Sequence, residues 1–599
     1  MARARLLILI ATVLTALAAT AVTAHAASFT PPVKLTGPAG GEPSIATDGK
    51  GNVYVDGPQG IPAGANGGPG IGFWKSADDG STFGPGKAIG SLAGGGDSDV
   101  LTTPDGTVYV DDLEAVSSQV CKSTDQGNTF TGVGALPDPS GCTAVAPTAQ
   151  VGPSDDRPWL TTDRQGTLYL TYHEFVSAQP LAFRSDNGGA DSFSHTCGSI
   201  ITDPTIEANV PTDITGGTLV AKPTTDAAGN FYVLFSTTTQ DQNLAAAPGQ
   251  PSGTFSQLYV AVSHDHCATF TDHVVYDGRA KGVNTTQFGD IFNVITADGA
   301  GNLYAIGAGF VNSPTPFSPT TNVYVSSSSD QGQTWKGPTL VGATNAAHML
   351  PAAVGGPAAG QLALGYFQTT NGKTDPNDLG GKWTYTTAET NNALAAQPSF
   401  SFSDVNPGFT YHNGQICNAG ILCGATPNGP SDRSLLDFTS ATVDPAGCPL
   451  FTFAGNPGGT SATNSDPGMT SNYATRQLSG CFHPPATAAT AGQAVPLSAS
   501  AGGACVASAR LRFFIRPVPH GRVVKAVAFV NGRVVARKKG KSLKRLSFAR
   551  PRGGVLKVRI ITTNNKGGRV VTRRTFSGCA ARTRVIGRPH RHKVKHRRH

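Results

Sequence analysis

Glutamate is almost missing from this 599-residue chain, which contains five, and charged residues of all kinds make up only 14% of it. Glycine (74) and proline (42) are plentiful instead. Amphipathic helices need charged, straight-chain residues and few breakers, so this composition excludes a helical protein and implies an all-β chain with many turns. No C-x-x-C pair occurs, which sets aside a zinc–thiolate site, and nothing asks for a metal or a cofactor. Beyond the first 26 residues no apolar stretch is long enough to span a bilayer. Acid is absent from residue 501 onward, where 28 Lys and Arg stand alone, whereas the preceding part holds 18 basic against 38 acidic residues. The net charge of +8 thus conceals two segments of opposite sign.

What is present begins with an export signal over residues 1–26. Arg3 and Arg5 precede an apolar run from Leu6 to about Ala19, and Ala24-His25-Ala26 supplies a small-x-small cleavage pattern. The mature chain is expected to be secreted or associated with a cell surface. Ten cysteines in an exported chain suit disulfides. Cys121 and Cys142 flank one hairpin, Cys417 and Cys423 can close a small loop, Cys448 and Cys481 fall on neighbouring strands, and Cys505 and Cys579 bracket the C-terminal domain. Cys197 with Cys267 follows by exclusion.

Two repeats are interleaved between residues 27 and 482. The first is S-x-D-x-G-x-T-[FW], seen at Ser76–Phe83, Ser123–Phe130 and Ser328–Trp335, with looser copies at Ser185–Phe193 and Ser263–Phe270. The Asp side chains (Asp78, Asp125, Asp265, Asp330) can accept backbone N–H groups, and Gly80, Gly127 and Gly332 supply positive φ, as a hairpin tip requires. The second repeat is an apolar strand, a D-x-x-G-N/T turn and a second strand bearing Tyr54, Tyr109, Tyr169, Tyr232 or Tyr304. Those tyrosines lie 55, 60, 63 and 72 residues apart, one four-stranded unit per period. Two further units lack good markers, and the last is short of a strand. Ser28–Leu35 reads like a segment following a hairpin tip and is expected to complete it, giving seven units.

These turns resemble the Asp-box (BNR) repeats of sialidases and related β-propellers, over residues 28 to 482. The resemblance implies an Asp-box β-propeller in which the boxes are structural fasteners on the face opposite the active site; the repeat count makes it a seven-bladed Asp-box β-propeller, where sialidases have six blades. A linker, residues 483–500, separates it from residues 501–580, whose alternating strands and Asn531-Gly532 turn fit a small Ig-like β-sandwich, as in exported actinobacterial proteins. Residues 581–599 read as a disordered basic tail without aromatics to stack bases. The expected partners are a glycan or an anionic cell-surface polymer, with no specific nucleic acid, no transmembrane segment and a monomeric chain.

Chemistry is expected where the innermost strands begin. The candidate catalytic carboxylates are Asp97, Asp99, Asp156, Glu174 and Asp290; Arg157, Arg433, Glu42, Tyr172, His173 and His348 are candidate substrate contacts. Lys222 and Asp432 belong near the axis, and Asp111, Asp112 and Glu114 on the rim. Aspartates at strand starts also bond turn amides, and Asp156-Arg157 or Asp432-Arg433 can be plain ion pairs. Sialidases grip a carboxylate with three arginines, the first in an F-R-I-P segment; here that place reads Gly41-Glu42-Pro43-Ser44. Two functions stand side by side: a propeller that binds a glycan or cell-surface ligand, and a glycoside hydrolase, sialidase-like or acting on another sugar.

Overall fold

The structure, a computed structural model, describes residues 27–482 and 510–582, apart from 39, 59–68, 94–95, 115–116, 140, 146–154, 175–178, 208–217, 238–254, 279–284, 289–292, 316–317, 343–344, 418–431, 459–469, 515–521, 550–554, 567–568 and 578–579. The export signal, the linker, most of the tail, and Asp290, Cys423, Cys505 and Cys579 lie outside the described residues. The chain is all-β; among the described residues the one helix is the single turn Pro204–Glu207.

The first of two compact units contains, among the described residues, seven antiparallel sheets of four or five strands. Sheet 1 is Ser44–Thr47, Val53–Pro58, Pro69–Ser76 and Lys87–Ala93. Sheets 2 to 7 open with Ser98–Thr102, Asp155–Thr162, Thr218–Val220 (continued by Thr224–Thr225), Val294–Ala297, His348–Gly355 and Ser440–Val443. These first strands touch one another in cyclic order, the seventh meeting the first. Threonine hydroxyls stitch the ring: Thr102 donates to the Thr47 carbonyl at 2.6 Å, Thr225 to Thr162 at 2.8 Å and Thr47 to Val443 at 3.1 Å. Sheet 7 takes its outermost strand from the other end of the chain, Ser28–Phe29 and Val33–Lys34 pairing with Ser471–Ser479.

The second strands are almost wholly buried, Phe231–Thr237 and Leu303–Gly309 from end to end, because a neighbouring sheet covers each of their faces. That is why these segments read as continuous apolar runs and not as alternating ones. In six of the seven sheets the turn before the second strand is closed by its aspartate, and in sheet 6 Gln361 accepts the Ala358 amide in its place. Asp298 accepts the amides of Ala300 and Asn302, the Asn302 side chain and the Tyr304 hydroxyl, and takes the Gly360 amide from the next sheet. Asp48 and Asp226 bind the equivalent amides, asparagine and tyrosine of their own turns.

The S-x-D-x-G-x-T hairpin tips share one set of bonds. In the first, Asp78 accepts the Ser76 hydroxyl, the Thr82 amide at 2.9 Å and the Thr82 hydroxyl at 2.6 Å, while the Gly80 amide donates to Ser76 Oγ. Asp125, Asp265 and Asp330 repeat the pattern, and Asn187 keeps part of it. The glycine is required on two counts. Gly127 has φ 78°, and a Cβ there would stand 2.9 Å from the Phe73 ring of sheet 1. Cys267 occupies the glycine position of the fourth tip with φ 63° and is bridged to Cys197. The other described bridges are Cys121–Cys142 and Cys448–Cys481; Cys417 is also disulfide-bonded.

The second unit, described in residues 510–582, pairs Arg510–Phe514 with Arg545–Ala549, and forms a five-stranded sheet in the order Arg533–Lys539, Val523–Val530, Val555–Asn564, Arg569–Ser577, Ala580–Arg582. Ala526, Ala528, Val530, Val558 and Ile560 pack with Leu543, Leu546 and Phe548 as its core.

Asp298→Ala removes a buried acceptor shared by two sheets and should lower unfolding stability by about 3 kcal/mol. Asp78→Ala, at an exposed tip, should cost less. Chemical denaturation of both variants checks the order; equal losses would contradict the role given to Asp298.

Candidate functional site

The geometry of the ring's mouth is set by how the first strands begin. In three sheets the chain enters through a left-handed residue followed by proline: Glu42-Pro43 (φ 39°), Arg157-Pro158 (56°) and Leu350-Pro351 (53°). Left-handed backbone is unfavourable for a residue with a Cβ, and a following proline restricts it further. At Arg157 and Leu350 the strand pairing slips by one residue to accommodate the kink. At Glu42 the amide reaches the Leu435 carbonyl at 3.5 Å, which brings the segment before sheet 7 against the start of sheet 1. Strain repeated at one register, and held by neighbours, is the kind of feature found at functional sites.

Six charged side chains gather there: Glu42, Asp97, Asp156, Arg157, Arg433 and Asp437. Arg433 grips Asp437 through both Nε, at 2.9 Å, and Nη2, and its Nη2 lies 3.9 Å from Glu42 Oε1. Arg157 Nε donates to Asp156 Oδ2 at 2.5 Å. For both arginines burial opposes the charge, but the carboxylates Asp156 and Asp437 outweigh it and raise the pKa. Each side chain of these pairs keeps some exposure, 18% for Arg157 and 15% for Arg433, whereas Glu42 keeps 2%.

Burial, then the charges of Asp97 and Asp437, push the Glu42 carboxyl well above its ordinary range, against the pull of Arg433. Burial and the charge of Asp156 push Asp97 up to about 6, while its hydrogen bond with Glu42 acts the other way. Burial disfavours the ionised form of both carboxyls, and each is raised chiefly for that reason.

Beneath the mouth lies a buried node. Asp99 accepts the Ser44 hydroxyl at 2.6 Å, the Leu160 amide at 2.8 Å and the Lys222 ammonium, so one carboxylate joins sheets 1, 2, 3 and 4. Asp56 and Asp111 are fully buried beside it, and burial, followed by the Asp99 charge, raises both carboxyls well above their ordinary range. Among the described residues no group of three or more His, Cys, Asp or Glu is placed to hold a metal ion.

The structure brings together five of the expected residues, Glu42, Asp97, Asp156, Arg157 and Arg433, and corrects others. Asp99 is a fully buried structural link and not a mouth residue. Tyr172, His173 and Glu174, expected on the rim, are buried in the second strand of sheet 3, with Tyr172 stacked on Phe183 at 5.4 Å. His348 is fully buried edge-on to Tyr366, with Nδ1 3.3 Å from Asn322; burial lowers its pKa to about 4 and keeps it neutral. Asp437 was missed: it meets Arg433 through a turn and not along a helix, so their spacing carried no signal.

At the other end of the first strands a cavity of about 430 Å³ is lined by turns, including Arg164, Gly299, Pro357 and Gly447. Its carboxylates Asp226, Asp298 and Asp444 are taken up by their own turn amides.

No family model and no curated protein matches this chain. Among solved structures it is similar to a protein of unknown function from Dyadobacter fermentans, with 13% identity over 76% of this chain and 100% of that one (TM-score 0.39). It is also similar to an α-L-arabinofuranosidase from Fusarium graminearum, with 12% identity over 76% and 98% (TM-score 0.37). A third is the NanB sialidase from Streptococcus pneumoniae, with 10% identity over 76% and 69% (TM-score 0.35).

An aspartate whose pKa is raised by folding binds its proton more tightly when folded, so stability falls as pH rises from its unfolded value through its folded one. Asp111→Asn should therefore raise the melting temperature at pH 8 by several degrees, about 1 kcal/mol or more, and change it little near pH 4. Melting curves across that range check the sign; destabilisation at pH 8 would show that Asp111 is ionised and bonded in the fold.

Proposed function

We propose that this chain is an exported, sialidase-like, seven-bladed β-propeller whose hairpin tips are Asp boxes, and that it binds a glycan or cell-surface ligand at the mouth formed by Glu42, Asp97, Asp156, Arg157, Arg433 and Asp437. The basic C-terminal unit, an Ig-like module, holds it to an anionic surface. Three described disulfides agree with an extracellular setting, and no described helix is long and apolar enough to cross a membrane.

The observation that carries this reading is the charge balance of the mouth. Each guanidinium already faces a carboxylate, Arg157 with Asp156 and Arg433 with Asp437, and the four carboxyls of the mouth outnumber its two guanidiniums. A sialic-acid carboxylate is repelled by such a surface. The hydroxyls of an uncharged sugar meet fixed donors and acceptors side by side, the arrangement that orients polar ligands.

A glycoside hydrolase is the second reading, favoured by the acid–carboxylate pair itself. Glycosidases, however, hold their two carboxyls about 5 to 10 Å apart across the scissile bond. Glu42 and Asp97 bond each other instead, so hydrolysis needs Glu42 as proton donor and Asp156 as base.

Calorimetric titration with neutral and sialylated oligosaccharides, beside a screen with chromogenic glycosides, decides between them. Binding of neutral glycans without chromophore release is expected, and steady release would move the assignment to the hydrolase. Arg433→Lys keeps the charge but loses the two-pronged hold on Asp437, and should weaken glycan binding about tenfold. Affinity should also fall below about pH 6, where Asp97 takes up a proton and ceases to accept; unchanged affinity there would remove Asp97 from the site.

A further inference from the structure

The second unit carries an organised surface. Strand register places Lys539, Lys525, Thr563 and Arg569 opposite one another across four strands of its five-stranded sheet, on one face. The same face carries the row Arg537, Val527, Ile561 and, beyond it, Phe529 with Arg559; Lys557 follows two residues along. Lys525, Arg537, Lys539, Lys557, Arg559 and Arg569 are all exposed. The opposite face is the buried one, made of Ala526, Ala528, Val558 and Ile560. No acidic residue exists from residue 501 to the end of the chain, so nothing local neutralises these cations.

We propose that this outward sheet face is a docking surface for a linear phosphodiester polymer, gripped by its backbone charge and not by bases. The proposal rests on the reading of the C-terminal unit as an anchor and says which residues do the anchoring. Neighbouring strands lie about 4.8 Å apart and alternate residues along a strand about 7 Å apart, so the cations form a grid that successive phosphates on a flexible chain can follow. Arginine suits phosphate because its planar fork donates two parallel bonds. Arg559 sits over the Phe529 ring at 4.5 Å, which fixes the guanidinium and covers the one aromatic of this face. A covered ring offers no platform for base stacking, so the polymer favoured is one without bases.

The test uses the whole mature protein and measures binding of poly(glycerol phosphate), with oligo(dT) as the base-bearing comparison, over a salt series. The quadruple variant K525Q/R537Q/K539Q/R559Q should bind poly(glycerol phosphate) about tenfold or more weakly and show a flatter salt dependence, each lost phosphate contact reducing the slope by roughly one. R588Q/R591Q/K593Q/K595Q removes the same charge from the tail and should change the affinity far less. Equal losses in the two variants would mean that net charge alone, and not this face, does the binding. No binding by the unsubstituted protein, or markedly tighter binding of oligo(dT), would also overturn the proposal. If the quadruple variant melts early, K539Q/R569Q, at the two ends of one exposed row, reads the same contacts. Glycan titration of the sheet variant should match the unsubstituted protein, so failure of the mouth assignment and failure of this one give different results.

Discussion

Closure of the ring is the constraint on which the rest of the first unit depends. A sheet whose second strand is apolar on both faces has no stable exposed form, so every sheet needs a neighbour on each side. Only a cycle satisfies all seven at once, since a row of sheets would leave an apolar face bare at each end. The turn carboxylates serve that closure. Asp298 satisfies its own turn and the Gly360 amide of the adjoining one, so a local turn motif doubles as a joint between sheets. Where sheets 6 and 7 meet, the joint is aromatic: Tyr385 stacks on Phe453 at 4.0 Å, and Tyr411 and Tyr473 pack around the same ring.

The mouth is a by-product of the same closure. First strands converge at the axis, so residues preceding them crowd together whatever their charge. Here evolution has left acids in excess and paired most of them. Asp99 shows how far burial can be carried when the partners are complete: hydroxyl, amide and ammonium donors converge on one carboxylate. Glu42 and Asp97, with fewer donors, are instead both raised in pKa by burial. One rule, that a buried charge must find donors or lose its charge, accounts for both.

The architecture was largely legible because its signals are local. A Ser, an Asp and a Gly at fixed spacing bond one another within eight residues, so their geometry follows from sequence alone. The pairing of Ser28–Lys34 with the last sheet was legible only by analogy between segments. Site residues were harder to read, since membership depends on direction as well as position. Asp99 and Asp97 are two residues apart, yet one is sealed among four sheets and the other faces the mouth. Tyr172, His173 and Glu174 read as a polar cluster, but the neighbouring sheets bury them. His348 gave no sign that Tyr366 and Asn322 would enclose it.

The strand that completes sheet 7 has a kinetic meaning. Ser28 pairs with Ser479, so the two partners are 451 residues apart along the chain. Local hairpins can form as the polypeptide emerges, but this contact has to wait until almost the whole first unit has been made. Until then sheet 7 has three strands and a bare outer edge. The Cys448–Cys481 bridge ties the receiving sheet to the segment just beyond its third strand, next to that edge. The contact that completes sheet 7 therefore forms late, and a chain lacking residues 27–36 is left with a bare outer edge on that sheet, able to pair with the edge of another copy.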